Sequence, residues 1–167
     1  MKNKLSFKEL RTIGLGTVLV NFIIQKIFRV NSRVPFMVHF TSRIAMAQNI
    51  NIEDHKESNT VYSSFASSNG LYLNATNGIN IAKNVMIASG VKIISANHDF
   101  KNRNKHTKSD CINIEENVWL GVNVIVLPGI TIGRNSIIGA GSVVTKNIPD
   151  NVIAGGNPTK IIKKIDV

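Results

Sequence analysis

The sequence predicts a mainly β chain: a parallel β-helix with an N-terminal helical segment and one extruded loop. Three observations predict it. Aliphatic residues recur six apart at Ile81, Ile87 and Ile93, and again at Ile114, Leu120, Val126, Ile132, Ile138 and Val144. Four positions after such sites stand Val85, Val91, Val118, Val124, Ile130, Ser136, Ser142 and Ile148, all aliphatic or small. Glycine, alanine, asparagine and proline collect between the two sets.

A period of six fits neither the three-to-four-residue step of a helix nor plain strand alternation. It fits a short strand followed by a corner. Three such units close one triangular coil of about eighteen residues, and each coil buries its core only against its neighbours. The corners need tight turns, which glycine and asparagine enter cheaply because they tolerate left-handed backbone. A β-sandwich would space its turns irregularly, about 8–12 residues apart, and six hexads in phase from Ile114 to Val144 do not.

Residues 1–43 read as a helical segment and residues 44–167 as the β-helix with a short C-terminal tail. Ser6 and Glu9 fit a capping box, with Leu5 and Leu10 as a hydrophobic staple. Leu10, Ile13, Val20, Ile24 and Ile27 recur at helical steps, although Gly14 and Gly16 weaken the pattern. The helix is expected to stop near Asn31 and Ser32, before Pro35. The preferred role is a cap over one end of the β-helix. The alternative is a membrane-surface helix, with Lys2, Lys4, Lys8, Arg11, Lys26, Arg29 and Arg33 meeting anionic lipid.

The hexad register breaks once. Ile93 and Ile114 are 21 residues apart, and the text between them is polar and basic. Residues 95–111 are therefore an extruded loop, the kind of segment that often carries function. It holds His98, Asp99 and His106, with Cys111 at its end.

The 167 residues suit one domain, and their single cysteine forbids an internal disulfide. The formal charge of +10 favours an anionic partner. Nucleic acid is not expected, since no helix-turn-helix, finger or aromatic RNA-binding signature is found. Neither a signal peptide nor a spanning helix is read: the apolar stretch 15–28 is interrupted by Asn21, Gln25 and Lys26 and falls short of about 20 residues. The expectation is a cytoplasmic protein, with contact at the inner face of a membrane as the alternative.

Four stretches carry a resemblance: "ISANHDF" around His98, "VWLGVNVIVLPGITIG" at 118–133, "IIGAGSVVTKNIP" at 137–149 and "VIAGGNPTKII" at 152–162. Over 84–165 the chain resembles the hexapeptide-repeat acyltransferases. Within them it is most similar to the maltose and galactoside O-acetyltransferase branch, of the capsule and lipopolysaccharide type. The resemblance implies a left-handed coil, against the usual handedness of parallel crossovers. It also implies acetyl-CoA as co-substrate, no metal, a homotrimer with sites between subunits, and a sugar acceptor from a surface polysaccharide or its precursor.

Transfer of an acyl group to a hydroxyl needs a base, a held thioester and a stabilised oxyanion. The resemblance places the catalytic histidine at His98, and histidine suits base chemistry near neutral pH. It places the pantetheine arm by Gly121 and Ala140, flanked by Trp119, with the nucleotide at Thr145 and Lys146. Lys160 and Lys163 stand where arginine is common, keeping the charge but not the fork. The Val122 amide is the chosen oxyanion donor. Ser68 and Asn69 are candidates for holding the acceptor. Asp99 reads as structural, His106 as a lesser sugar contact, His39 and His55 as ordinary surface or interface residues, and Cys111 as an inert thiol.

Three rivals are weighed. The first is acetylation of an amino sugar or a xenobiotic. The second is a zinc enzyme of the γ-carbonic anhydrase type, which needs three histidines on one metal; His98 and His106 lack that spacing. The third is a scaffold without catalysis.

Overall fold

Residues at the first and fifth places of each hexad all turn inward. Ile81, Ile93, Ile114, Leu120, Val126, Ile132, Ile138 and Val144 are buried, as are Val85, Val91, Val118 and Val124. The structure, a computed structural model, describes residues 5–53 and 60–166. Lys2, Lys4 and His55 lie outside the described residues.

In chain order the strands are β1 (Arg43–Ala45), β2 (Ile50–Ile52), β3 (Tyr72–Asn74), β4 (Ile79–Ile81), β5 (Met86–Ile87), β6 (Lys92–Ile94) and β7 (Ile112–Ile114). They continue as β8 (Trp119–Leu120), β9 (Ile125–Val126), β10 (Thr131–Ile132), β11 (Ile137–Ile138), β12 (Val143–Val144), β13 (Val152–Gly155) and β14 (Lys160–Lys164). Three sheets result. Face A is β1-β3-β6-β9-β12, face B is β2-β4-β7-β10, and face C is β5-β8-β11-β13-β14. Through the regular coils each face takes every third strand, and all pairs are parallel except β13 with β14. That is the triangular coil which the hexads imply.

Paired residues are eighteen apart in the regular coils: Ile114 with Ile132, Leu120 with Ile138, Val126 with Val144. Across the loop they are 33 apart, Ile81 with Ile114 and Ile87 with Leu120. The loop is thus an insertion of fifteen residues that leaves the stacking intact.

The fourth place of the hexad makes the corner. Asn84, Gly90, Asn117, Asn123, Gly129, Asn135 and Gly141 all have φ between 57 and 74°. Other side chains meet their own backbone there, whereas asparagine and glycine do not suffer as much. The corner asparagines also stack: Asn117 Nδ2 donates to Asn135 Oδ1 at 2.9 Å, and Asn135 Nδ2 to Asn151 Oδ1 at 2.8 Å. Ser136 and Ser142 are tolerated inside the prism because their hydroxyls donate to the carbonyls of Pro149 (2.8 Å) and Gly139 (2.6 Å).

The N-terminal segment differs from a single capping helix. α1 (Phe7–Ile13) carries the capping box, with Ser6 N donating to Glu9 Oε2 at 2.7 Å and Glu9 N to Ser6 Oγ at 3.3 Å. Gly14, at φ +95°, then turns the chain by 95° into α2 (Leu15–Phe22), which runs on as a π-helical turn at Ile23–Ile27. Gly14 therefore ends a helix instead of weakening one. The expected apolar stripe is also split: Leu10 and Ile13 pack on the core, whereas Val20 and Ile27 are exposed. The side chains that α2 and its π turn bury fully are polar, Asn21 and Gln25. A third helix, α3 (Thr60–Ser67), has no hexad signal and takes the place of a face C strand in the first coil. Its Phe65 stacks on Phe36 with centroids 5.0 Å apart. The expected boundary between 43 and 44 falls inside β1.

His39 is half-buried, and its Nδ1 accepts the Thr41 N–H at 3.3 Å. Burial holds its pKa below the ordinary histidine value, so the fold favours the neutral ring. Because the folded state binds the proton less readily than the unfolded chain, stability should be full above the ordinary histidine range and fall as pH drops below it. Thermal melts from neutral to mildly acid pH should show that fall, and His39→Gln should flatten it. Packing makes a second prediction. A methyl at Gly133 would lie 2.6 Å from Asp150 N and 2.7 Å from Pro149 C, whereas one at helical Gly16 would meet nothing. Urea melts should show Gly133→Ala losing about 1–3 kcal/mol and Gly16→Ala gaining about 0.5–1 kcal/mol.

Candidate active site

The extruded loop is a small hairpin. Asp99 N donates to Lys105 O (2.8 Å) and Thr107 N to Asn97 O (2.8 Å), and between them His98 bridges to His106. The two imidazoles lie 4.7 Å apart, centroid to centroid. Asp99 shapes the tip, since its Oδ1 accepts from Lys101 N at 2.8 Å and Asn102 N at 2.7 Å. It is thus a turn residue and does not orient His98.

His98 is oriented by backbone. Its Nδ1 is 2.6 Å from Arg103 O. A carbonyl can only accept, so Nδ1 carries the hydrogen, and the neutral ring keeps its lone pair on Nε2. An exposed imidazole with a fixed tautomer and a free Nε2 is equipped to take a proton.

The loop is clamped to the prism at its root by a residue that sequence reasoning did not single out. Asn77 Nδ2 donates to Ser95 O (2.9 Å), Thr107 O (3.0 Å) and Ser109 Oγ (2.9 Å), while Asn77 N donates to Ser95 Oγ (2.9 Å). Its one local signal is the Asn77-Gly78 turn pair before β4. Its partners lie 18 to 32 residues away, beyond any local pattern.

The other candidates sort by edge of the prism. Where face C turns into face A, the corners stack in order: Gly90 N donates to Asn69 O, Asn123 N to Ser89 O, Gly141 N to Val122 O, and Val143 N to Gly156 O. This C/A edge therefore gathers Asn69, Gly121, Val122 and Ala140, with Lys160 opening β14 at its end, opposite Gly155. Five rungs span on the order of 19 Å. Gly121 is buried with no room for a side chain: a Cβ would lie 2.8 Å from both Ala140 N and Ile138 O. The amides of Val122 and Ala140 have no hydrogen-bond partner among the described residues. Both residues are exposed, and their unpaired amides stand on consecutive rungs of the edge.

Trp119 sits beside this edge on the outside of face C, between Met86 and Ile137 in register, and is 47% exposed. Ser68 differs from Asn69. It is buried, and its hydroxyl donates to Ile87 O at 2.7 Å, closing the first coil. Asn69 is exposed. Thr145 and Lys146 follow β12 and stand on the A/B edge, the same edge that extrudes the His98 loop. Lys163 pairs with Ile153, farther along face C from Gly155. Lys146, Lys160 and Lys163 are all exposed. One strand length, roughly 15 Å, separates the C/A edge from the A/B edge. His98 and the Val122 amide therefore stand on different edges of one chain.

Cys111 is half-buried, with Asn80 Nδ2 donating to its sulfur at 3.2 Å. Among the described residues no three His, Cys, Asp or Glu converge as metal ligands. An open groove on face B is lined by Asn51, Asn80, Asn113, Glu53, Glu115 and Arg134. Its Asn80 and Asn113 already bond each other at 2.8 Å.

Comparison with known proteins gives a consistent picture. The profile of the bacterial transferase hexapeptide family, six repeats, matches residues 112–146. Galactoside O-acetyltransferase of Lactococcus lactis is 49% identical over 90 residues, 52% of this chain and 43% of that protein. The crystal structure of a maltose O-acetyltransferase from Clostridium difficile is 31% identical, with a TM-score of 0.51, covering 96% of this chain and 88% of that one. A galactoside acetyltransferase solved in complex with coenzyme A is 28% identical, with a TM-score of 0.60, covering 95% and 84%. The chain spans under half the length of the first curated relatives it matches, 43–44%.

The clamp at Asn77 predicts a local effect. Asn77→Ala removes the donors to Ser95 O and Thr107 O. Trypsin should then cut among Lys101, Arg103, Lys105 and Lys108 about tenfold faster, while the prism stays folded by circular dichroism.

Proposed function

The chain belongs to the hexapeptide-repeat acetyltransferases, and on that footing we propose that it transfers the acetyl group of acetyl-CoA to a sugar hydroxyl, with His98 as general base. The observation that carries this is the fixed tautomer of His98, with Nδ1–H on the Arg103 carbonyl and Nε2 free. Two further features fit a held thioester: the side-chain-free path at Gly121, and the unpaired amides of Val122 and Ala140.

The chemistry follows from those groups. Nε2 of His98 takes the hydroxyl proton as the sugar oxygen attacks the thioester carbonyl. The Val122 N–H donates to the oxyanion that forms, which a preorganised amide stabilises without reorganisation. The carbon–sulfur bond then breaks, and the protonated imidazole returns its proton to the departing sulfur. Transfer is direct, and no covalent enzyme intermediate is needed. Asn69, at one end of the C/A edge, holds the acceptor, and Ser68 supports it by closing the coil beneath. Lys160 at the other end, with Thr145, Lys146 and Lys163, meets the nucleotide and its phosphates, while Trp119 walls the arm.

The separation of edges supports an assembly of several copies. A base must come within about 3 Å of the proton it takes, and roughly 15 Å of sheet lies between the two halves in one chain. We therefore read the protein as a homotrimer in which the loop of one subunit reaches the C/A edge of the next. The left-handed sense of the coil belongs to the same reading, as does the division into a capping segment (1–43) and an acyltransferase unit (44–167). The acceptor class, a surface-polysaccharide sugar or its precursor, rests on the resemblance and on the galactoside-acting relative.

Thiol release from acetyl-CoA, measured against a panel of polysaccharide sugars, tests the proposal. His98→Ala should lower kcat/KM by about 10²–10⁴ with the fold intact; near-normal turnover would overturn the mechanism. Mixing tests the assembly. Chains carrying His98→Ala and chains carrying Ala140→Trp should each be inactive alone. After refolding together they should regain part of the wild-type rate, because some interfaces then combine an intact loop with an intact edge. No recovery in verified mixed oligomers would place both halves in one subunit.

A further inference from the structure

α2 and the π turn that continues it are built inside out. In a helix that only caps a core, the apolar face turns in and the polar face meets water. Here the buried side chains are Asn21 and Gln25, and both are occupied with main chain. Asn21 Nδ2 donates to Ala66 O (2.9 Å) and its Oδ1 accepts from Phe40 N (2.9 Å). Gln25 Nε2 donates to Phe36 O at 2.8 Å, and its Oε1 accepts from Val38 N at 3.4 Å. The helix is thus fastened by amides; Val18 is the one apolar side chain of α2 packed on the core, and Leu15, Leu19, Val20 and Phe22 stay outside. Leu15 is 62% exposed, Leu19 59%, Phe22 47%, and Ile27 and Phe28 67% each. From Leu15 to Gln25 there is no charged residue. On α1, Phe7 is 75% exposed as well.

Cations frame this apolar surface. Lys8 and Arg11 lie before it, Lys26, Arg29 and Arg33 at its end, and all five are exposed. Glu9 is the single acid between residues 5 and 52, and its carboxylate is engaged with Ser6 N and Ser63 Oγ. Among the described residues no single helix is long and apolar enough to cross a bilayer, and the 95° bend at Gly14 divides the pair. An apolar strip without charge, framed by uncompensated cations and too short to span, matches a helix that lies in the plane of a membrane surface. We propose that this face docks on an anionic lipid bilayer, with Leu15, Leu19, Phe22, Ile27 and Phe28 entering the acyl boundary and the cations on the headgroups. A second copy of the same face is the poorer occupant, since it would bring two sets of cations together with one acid each. The proposal does not depend on the acetyl-transfer reading.

Vesicle co-sedimentation of the full chain tests it. Vesicles of phosphatidylcholine with about 30 mol% phosphatidylglycerol should pull the protein down, and pure phosphatidylcholine should do so much more weakly. Leu19→Glu with Phe22→Glu should lower binding to the anionic vesicles by more than about tenfold. Lys26→Glu with Arg33→Glu should lower it too, and should abolish most of its salt dependence. Both pairs are exposed, and circular dichroism and light scattering should show an unchanged fold and mass. Failure of the wild-type chain to bind anionic vesicles, or equal binding by the Leu19/Phe22 variant, would overturn the proposal. So would a fall in mass for that variant in lipid-free buffer, which would assign the face to a contact between copies.

Discussion

The prism depends on one backbone constraint: at each regular corner a residue sits at φ near +60°, so that a strand of four or so residues can turn and stack on the coil before it. Asn84, Asn117, Asn123 and Asn135 meet this requirement together with Gly90, Gly129 and Gly141. Because those corners are cheap only for asparagine and glycine, the aliphatic side chains on either side are forced inward at fixed height. Ile114 then sits under Ile132, and Leu120 under Ile138. The apolar core follows from the corners, and each coil gains its burial only from the next. A fifteen-residue insertion is tolerated for the same reason. It leaves at a corner and returns to it, and the rungs on either side still pair.

This explains which parts were legible in the sequence. Ile81, Val85 and their successors have a period that belongs to no other fold, so the coil and the loop were readable from spacing alone. The meaning of the fourth place was half readable: asparagine and glycine signal turns, but only the φ values show that the regular corners share one conformation. The cap was misleading because periodicity assumes that apolar side chains seek the interior. Asn21 and Gln25 defeat that assumption, since their partners are the main-chain groups of residues 36–40 and 66 and no local pattern announces them. α3 escaped for a similar reason. Its Phe65 and Tyr62 pack on Phe36, a contact across a long stretch of chain.

The candidate site was legible as a set of residues but not as a place. His98, Gly121, Val122 and Ala140 were each found through motifs, and a motif says nothing about which edge of a prism it occupies. The sheet order supplies that: His98 leaves face A for face B, whereas Val122 leaves face C for face A. Asn77 is the converse, a residue with no motif whose importance lies wholly in where its amide reaches. Ser68 and Asn69 are adjacent in sequence, yet one hydroxyl is spent on Ile87 O while the other side chain faces solvent.

The two proposals, drawn from different parts of the chain, agree in direction. The C/A edge runs from Asn69 to Lys160, and its Asn69 end is tied to the capping segment, since Gly70 N donates to Thr41 Oγ1 at 2.9 Å and Phe40 N to Asn21 Oδ1. α2 is held at that same end, through Asn21 Nδ2 on Ala66 O. A chain resting on lipid through α2 would hold the acceptor end of the edge near the bilayer and turn the Lys160 end toward bulk water. A soluble, polyanionic donor approaches most readily from the water side, where Lys146, Lys160, Lys163 and Lys164 are exposed. An acceptor fixed at a surface approaches from the other. The order of residues along one edge of the prism thus matches the order in which a donor from solution and an acceptor from a membrane would have to meet.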